Sequence, residues 1–285
     1  MDRAFVEKLT FFVNQALQED VGDGDHTTLS TIPEDHQGEA KLLVKEEGIL
    51  AGVEVASHVI ALIDPKLEID VRIHDGQQVQ VGDIAFYLRG PIHSILKAER
   101  LILNVMQRMS GIATRTHHYV TLLDGTKTRV LDTRKTTPLL RFLEKEAVKI
   151  GGGVNHRFGL YDMILIKDNH VDYAGGITAA LTSSNAYRKN LGRPMEIEIE
   201  VRNIEELKEV LDFGYVDRVM LDNFSPEQVA DAVTLVNGKL TTEASGGITE
   251  DTIRAYADAG VDYISVGALT HSVKSLDLSL KAKLI

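Results

Sequence analysis

Cysteine is absent from the 285-residue chain, which excludes disulfides, thiolate zinc sites and thiol nucleophiles before any motif is read. A reducing compartment is permitted by this absence but not required by it. Long apolar stretches are missing as well. Nothing approaches the ~18 consecutive apolar residues of a membrane-crossing helix, so no membrane span is expected. The opening Met1-Asp-Arg-Ala-Phe-Val-Glu-Lys8 has no signal-peptide core, and the expected address is the cytoplasm. Positive charge is scarce: 31 Lys and Arg stand against 42 Asp and Glu, a formal net charge of -11. Such a surface repels a phosphate backbone and argues against nucleic acid as a partner.

What is present is an ordinary globular composition, 44% apolar and 26% charged, in a chain long enough for two modest domains with real interiors. The texture changes near Gly111. Before it, Phe5, Leu9, Phe12, Val13, Ala16 and Leu17 recur at helical spacing and predict a helix that stops before Asp20. Ala40–Val44, Leu67–Ile73 and Ile84–Leu88 read as strands between glycine turns. A long helix from Ser94 is expected to end at Gly111, with Ile95, Ile102, Val105, Met106 and Met109 along one stripe.

After Gly111 a simple unit repeats: a short apolar run, a helix, a glycine. Six runs are expected as strands, at 129–131, 162–166, 196–201, 218–221, 240–244 and 263–266. Strands alternating with helices imply a parallel sheet with right-handed crossovers. A complete eight-stranded barrel takes ~250 residues, so the expectation is an incomplete, about six-stranded parallel α/β barrel. Thr137 and Pro138 are expected to open one of its helices as N-cap and first residue, with Gly151 closing it.

In such sheets ligands bind beyond the carboxyl ends of the strands, and there the scarce cations gather. Arg134 and Lys135 follow the first run, His156 and Arg157 follow a triple glycine, and Lys167 follows the second run. Taken singly, Lys167 reads more readily as a solvated strand-end lysine, and His156-Arg157 equally as a surface pair on a turn. Their coincidence across three loops points to an anion site. Period-two alternation in Glu196-Ile-Glu-Ile-Glu-Val201 puts three glutamates on one strand face. Glu200, nearest the carboxyl end, is the functional candidate, whereas Glu196 and Glu198 are expected in structural pairs. Asp222 is a second strand-end acid, with an Asp-Asn turn or a cap before Pro226 as the plainer reading. Ser245-Gly-Gly247, ahead of a helix expected near Thr249, and Gly267, ahead of His271, offer backbone amides for a phosphate.

At these residues the chain resembles the quinolinate phosphoribosyltransferases, also called nicotinate-nucleotide pyrophosphorylases (carboxylating). The likeness runs from Glu19–Thr28 through Gly111–Thr114, Asp132-Thr-Arg-Lys-Thr-Thr-Pro138, Asn155-His-Arg157, Ile166-Lys-Asp-Asn-His170 and Leu221-Asp-Asn-Phe224 to Ser245-Gly-Gly247. The resemblance implies transfer of a 5-phosphoribosyl group from phosphoribosyl pyrophosphate to quinolinate, with decarboxylation to nicotinate mononucleotide in NAD synthesis, assisted by magnesium. It implies an N-terminal α/β sandwich over residues 1–111, rejoined by the tail 270–285, and a catalytic barrel over 112–269. By the same resemblance Arg134, His156, Arg157 and Lys167 line the quinolinate pocket, and Lys135 contacts the donor. Glu200 and Asp222 flank the ribose and magnesium, while Ser245, Gly246, Gly247, Gly267 and His271 cradle the 5-phosphate. Arg100, on the long helix, is implied to reach the neighbouring subunit's site in a homodimer, which can assemble further. One departure is Leu139, where many members have glycine after the proline; an effect on helix packing is expected.

Three other readings fit parts of the chain. A paralogue of the same fold would use another acceptor. A phosphate-binding aldolase would use Lys135 or Lys167 as a Schiff base. Asp75–Asp83 has the spacing of a biotinyl or lipoyl carrier hairpin but no lysine at its tip.

Overall fold

The computed structural model describes residues 1–283. In chain order the elements are α1 (Arg3–Val21), α2 (His26–Thr31), β1 (Gln37–Val44), β2 (Gly48–Ile49), α3 (Val53–Ile63), β3 (Glu68–Val71), β4 (Gln78–Val79), β5 (Ile84–Pro91) and α4 (Ile92–Leu122). They continue with β6 (Arg129–Leu131), α5 (Arg141–Ile150), β7 (Ile164–Ile166), α6 (Asp168–Ala174), α7 (Ile177–Asn190), β8 (Ile197–Val201) and α8 (Ile204–Phe213). The last are β9 (Arg218–Asp222), α9 (Pro226–Val236), β10 (Thr241–Ser245), α10 (Ile253–Asp258), β11 (Tyr263–Ser265), α11 (Ala268–His271) and β12 (Leu278–Lys283). They form two compact units. One comprises Met1–His117, Thr136–Gly152 and the chain from Leu269; the other comprises His118–Lys135 and Gly153–Ala268.

The first unit is built on a four-stranded antiparallel sheet in the order β12-β1-β5-β3. Alternation along β1 and β5 buries Ala40, Leu42, Val44, Phe86 and Leu88 on one side, as a half-solvated sheet requires. β12 pairs with β1 from Glu39↔Lys283 to Val44↔Leu278, so the chain's end supplies an edge strand.

Several helix boundaries differ from the sequence expectation. α1 continues through Asp20 to Val21 and ends at Gly22, whose φ of +56° glycine adopts without strain. α4 does not stop at Gly111 but runs on to Leu122. That glycine serves close packing: a Cβ there would collide with the Lys274 carbonyl. The helix expected from Thr137 starts only at Arg141, capped at Leu140. Leu139 adopts φ +66° with its side chain 82% exposed, a conformation costing a β-carbon residue roughly 1–2 kcal/mol. Leu139→Gly is therefore expected to raise stability slightly, by about 0.5 kcal/mol after glycine's own entropy cost is subtracted, readable in a urea melt.

α5 was expected in the barrel, yet it lies in the first unit because its apolar face is used there. Phe142, Leu143, Ala147 and Val148 are buried, and the Phe142 ring meets Phe5 and Phe12 edge-on at 5.2 and 6.2 Å. A buried ion pair accompanies them. Glu144, 1% exposed, accepts from Arg108 Nη2 at 2.9 Å, and the same nitrogen donates to the Thr270 carbonyl at 2.6 Å.

The second unit is a six-stranded parallel sheet ordered β6-β11-β10-β9-β8-β7. All six expected runs became its strands. Val154 bridges to Leu131 on the other edge of β6, but among the described residues no ladder carries this segment across to β7, so closure is incomplete. β8 is buried along its whole length, with isoleucines facing one side and Glu198 and Glu200 the other.

Candidate active site

The carboxyl ends of the six strands hold the polar side chains. Arg134, Lys135, His156, Arg157, Lys167 and Ser245 all line one cavity of about 250 Å³, and they come from the ends of β6, β7 and β10 and from the turn after the Val154 bridge. Local turns aim them: the Lys135 amide donates to Thr133 Oγ1 at 3.0 Å, and the Lys167 amide to His170 Nδ1 at 2.9 Å. Arg157 is partly buried, and its Nη1 reaches the Met163 carbonyl at 3.3 Å. Desolvation and then the Arg134 guanidinium lower its pKa. Two like charges forced together in a cavity favour an anion between them.

Two acids stand at the ends of β8 and β9, next to Lys167. Lys167 Nζ donates to Glu200 Oε2 at 2.7 Å, with Glu200 buried. Asp222 lies at the end of β9, its pKa raised by desolvation and then by the Glu200 charge. Ser245 ends β10, and Gly246 and Gly247 follow it with positive φ, +98° and +63°. α10 begins at Ile253 rather than near Thr249, so these amides belong to a turn and not to the first turn of a helix. Ser225, not Asp222, caps α9, through a capping box with Gln228.

Arg100 and His271 belong to the first unit, Arg100 exposed on α4 and His271 exposed at the end of α11, its Nδ1 2.6 Å from Ser272 Oγ. The six-stranded unit by itself does not contain them. Of the other glutamates, Glu196 is exposed just before β8, whereas Glu198 is fully buried.

Sequence reasoning missed the floor of the cavity. His156 Nε2 lies 3.0 Å from Glu198 Oε2 and 3.4 Å from Glu243 Oε2, both glutamates with no exposed side-chain surface, and Arg218 Nη2 lies 3.8 Å from Glu243. Buried Asp132 accepts the His156 amide at 2.8 Å and holds the backbone. Desolvation pulls the imidazole down, but the two carboxylates outweigh it and push the ring up to about 9. The Arg157 amide points at Nδ1 from 2.7 Å, which suits a ring with one hydrogen, on Nε2. That contact turns Nε2 toward the two carboxylates; Arg218 faces Glu243 as well, and burial and then the Glu243 charge raise Glu198. Period two in β8 hinted at Glu198; Glu243, in Thr241-Thr-Glu-Ala-Ser245, had no sequence signal.

Known proteins resemble the chain over nearly its whole length. Residues 112–281 match the family described as "Quinolinate phosphoribosyl transferase, C-terminal domain", and residues 25–110 match its N-terminal domain. The chain is 46% identical to quinolinate phosphoribosyltransferase [decarboxylating] 1b of Nicotiana tabacum over 285 residues, 94% of this chain and 81% of the relative. It is 43% identical to the probable nicotinate-nucleotide pyrophosphorylase [carboxylating] of Bacillus subtilis, covering 97% and 94%. Among solved structures it is similar to the nicotinate-nucleotide pyrophosphorylase of Francisella tularensis, with TM-score 0.91, 42% identity and 98% and 97% coverage. NadC of Streptococcus pyogenes gives TM-score 0.91 at 39% identity, each chain covered to 96%.

Proposed function

The chain belongs to the quinolinate phosphoribosyltransferase family, and from that premise we propose how the mouth of its six-stranded unit performs the reaction. The enzyme transfers the 5-phosphoribosyl group of phosphoribosyl pyrophosphate to the ring nitrogen of quinolinate. Loss of the 2-carboxylate gives nicotinate mononucleotide, pyrophosphate and carbon dioxide, a step of NAD biosynthesis.

One observation carries the assignment of roles: in a chain of net charge -11, four Lys and Arg side chains and His156 line a single cavity. Quinolinate presents two carboxylates beside a weakly basic nitrogen, so its capture needs several fixed cations. Arg134, Arg157 and Lys167 supply them and His156 lines the same cavity, with Arg geometry matched to bidentate carboxylate contact. Each close pair is worth about 4 kcal/mol at an effective dielectric near 20, before desolvation is subtracted. Lys135 meets the phosphoribosyl donor, and the amides of Ser245, Gly246, Gly247 and Gly267 receive the 5-phosphate.

Glu200 and Asp222 stabilise the positive charge that develops at the anomeric carbon as pyrophosphate departs. These two acids also fit magnesium, because they are oxygen donors at adjacent strand ends and the Glu200 charge already raises Asp222. A magnesium ion held there would supply charge neutralisation for the leaving pyrophosphate. No side-chain nucleophile is required. Once alkylated, the ring nitrogen carries positive charge and accepts the electron pair released when the bond to the 2-carboxylate breaks; a proton then takes the carboxylate's place.

Ultraviolet detection of nicotinate mononucleotide, with quinolinate and nicotinate compared as acceptors in the presence of phosphoribosyl pyrophosphate and magnesium, tests the assignment. Product from the diacid alone is expected; equal use of nicotinate would point to a paralogue with another acceptor. The working form is a homodimer in which Arg100 of one protomer completes the quinolinate site of its partner. An Arg100→Ala chain mixed with a Lys135→Ala chain is therefore expected to regain about a quarter of wild-type activity through hybrid sites, as random pairing of two subunits would give. No recovery after mixing and re-equilibration would argue against sharing. The proposed compartment is the cytoplasm. Among the described residues no helix is long and apolar enough to cross a membrane, and cell fractionation reads the location.

A further inference from the structure

Asn223 has no role in the mechanism above, yet its side chain and backbone join two of its loops. It directly follows β9 with φ +57°, the left-handed conformation that asparagine tolerates better than most residues. From there its Nδ2 donates to Asp222 Oδ2 at 2.7 Å. Its backbone amide donates to the Ser245 carbonyl at 2.8 Å. Its Oδ1 lies so near Gly246 that a Cβ on that glycine would collide with it, and the same Cβ would sit 2.9 Å from the Asn223 amide nitrogen. One residue thus touches the acid at the end of β9 and the glycine turn at the end of β10, all within the six-stranded unit.

The local chemistry allows no simple replacement. Ionised Asp222 accepts hydrogen bonds only, so the atom facing it must be a donor; an aspartate of the same size would turn a repelling oxygen toward it. The neighbour of Gly246 must be flat and short, and its backbone must turn left-handed to leave the amide pointing at Ser245.

We infer that Asn223 is a positioning residue for the phosphoribosyl donor, locking the Asp222 carboxylate and the Ser245–Gly247 turn into one rigid frame so that ribose and 5-phosphate are gripped together. The inference rests on the reading that Asp222 and this turn meet the donor. It explains why Gly246 has no room for a side chain even before a phosphate is considered. It also predicts a one-sided defect, because the quinolinate cations come from β6, the 156–157 turn and the end of β7, which Asn223 does not touch.

The experiment compares wild type, Asn223→Gly, Asn223→Asp and Asp222→Asn. Glycine keeps the left-handed backbone and removes the side chain, whereas aspartate keeps the shape and reverses the donor. For both Asn223 variants KM for phosphoribosyl pyrophosphate is expected to rise about tenfold and kcat to fall about tenfold, the scale of a charge-assisted hydrogen bond. KM for quinolinate should stay within about twofold on the same reasoning, and thermal midpoints should stay near wild type. Calorimetry without magnesium should show the same split, quinolinate binding unchanged and phosphoribosyl pyrophosphate binding weakened.

Parallel changes in both substrates' constants accompanied by a lower thermal midpoint would reduce Asn223 to a packing residue and overturn the inference. Wild-type kinetics in both Asn223 variants, with Asp222→Asn impaired, would overturn it alone. If Asp222→Asn also leaves the donor KM unchanged, the reading beneath it falls together with it.

Discussion

Arg157→Ala will lower kcat/KM for quinolinate by roughly two to three orders of magnitude, while the thermal midpoint stays within a few degrees of wild type. The magnitude follows from stranding a substrate carboxylate in a partly desolvated cavity: truncating one partner of such a charge pair costs about 2–5 kcal/mol, and each 1.36 kcal/mol is tenfold in rate. The fold should tolerate the change because the side chain's hydrogen bond to Met163 is long, 3.3 Å, and its guanidinium is already disfavoured by desolvation and by Arg134. Removing one of two crowded guanidiniums relieves repulsion in the free enzyme, which offsets any loss of packing. Arg157→Lys should recover only part of the activity, since an ammonium keeps the charge but not the planar fork. Steady-state kinetics with quinolinate varied at saturating donor give the answer; near-normal constants for Arg157→Ala would remove this residue from the pocket.

The largest stability loss is expected at a position remote from that cavity. Arg108→Met leaves Glu144, 1% exposed, without its 2.9 Å guanidinium partner, and leaves the Thr270 carbonyl without its 2.6 Å donor. Breaking a buried pair from one side typically costs about 3–5 kcal/mol, because an uncompensated charge stays inside. For a chain of this size each kcal/mol lowers the thermal midpoint by roughly 2–4 °C, so a drop on the order of 10 °C should appear in a calorimetric scan. The double variant Arg108→Met/Glu144→Gln should recover much of the loss, since an amide can stay buried at far lower cost than a carboxylate. A melt unchanged by Arg108→Met would mean that water already screens Glu144.

Both predictions began from residues whose visibility in the sequence differed greatly. Arg157 was legible, because a histidine–arginine pair after three glycines in an acidic chain is anomalous on composition alone. Arg108 was not. It sits on a helix among apolar residues where a charge reads as the solvated face, and its partners lie 36 and 162 positions away.

The sequence by itself determined the strands of the six-stranded sheet, because apolar runs bounded by glycines need only local spacing to be recognised. It determined the cationic loops at their carboxyl ends for the same reason: charge and position within a βα unit are local properties. Where α4 ends, where α5 begins and which unit α5 joins were decided only by tertiary structure. Gly111 resembles a helix stop until Lys274 is found packed against it, and the departure from glycine at Leu139, expected to act on helix packing, turns out to sit in a left-handed turn. The floor of the cavity was decided in the same way. Glu198, Glu243, His156 and Arg218 come from four separate stretches of chain, and only folding buries two carboxylates against one imidazole and one guanidinium, an effect of burial that no single stretch of sequence contains.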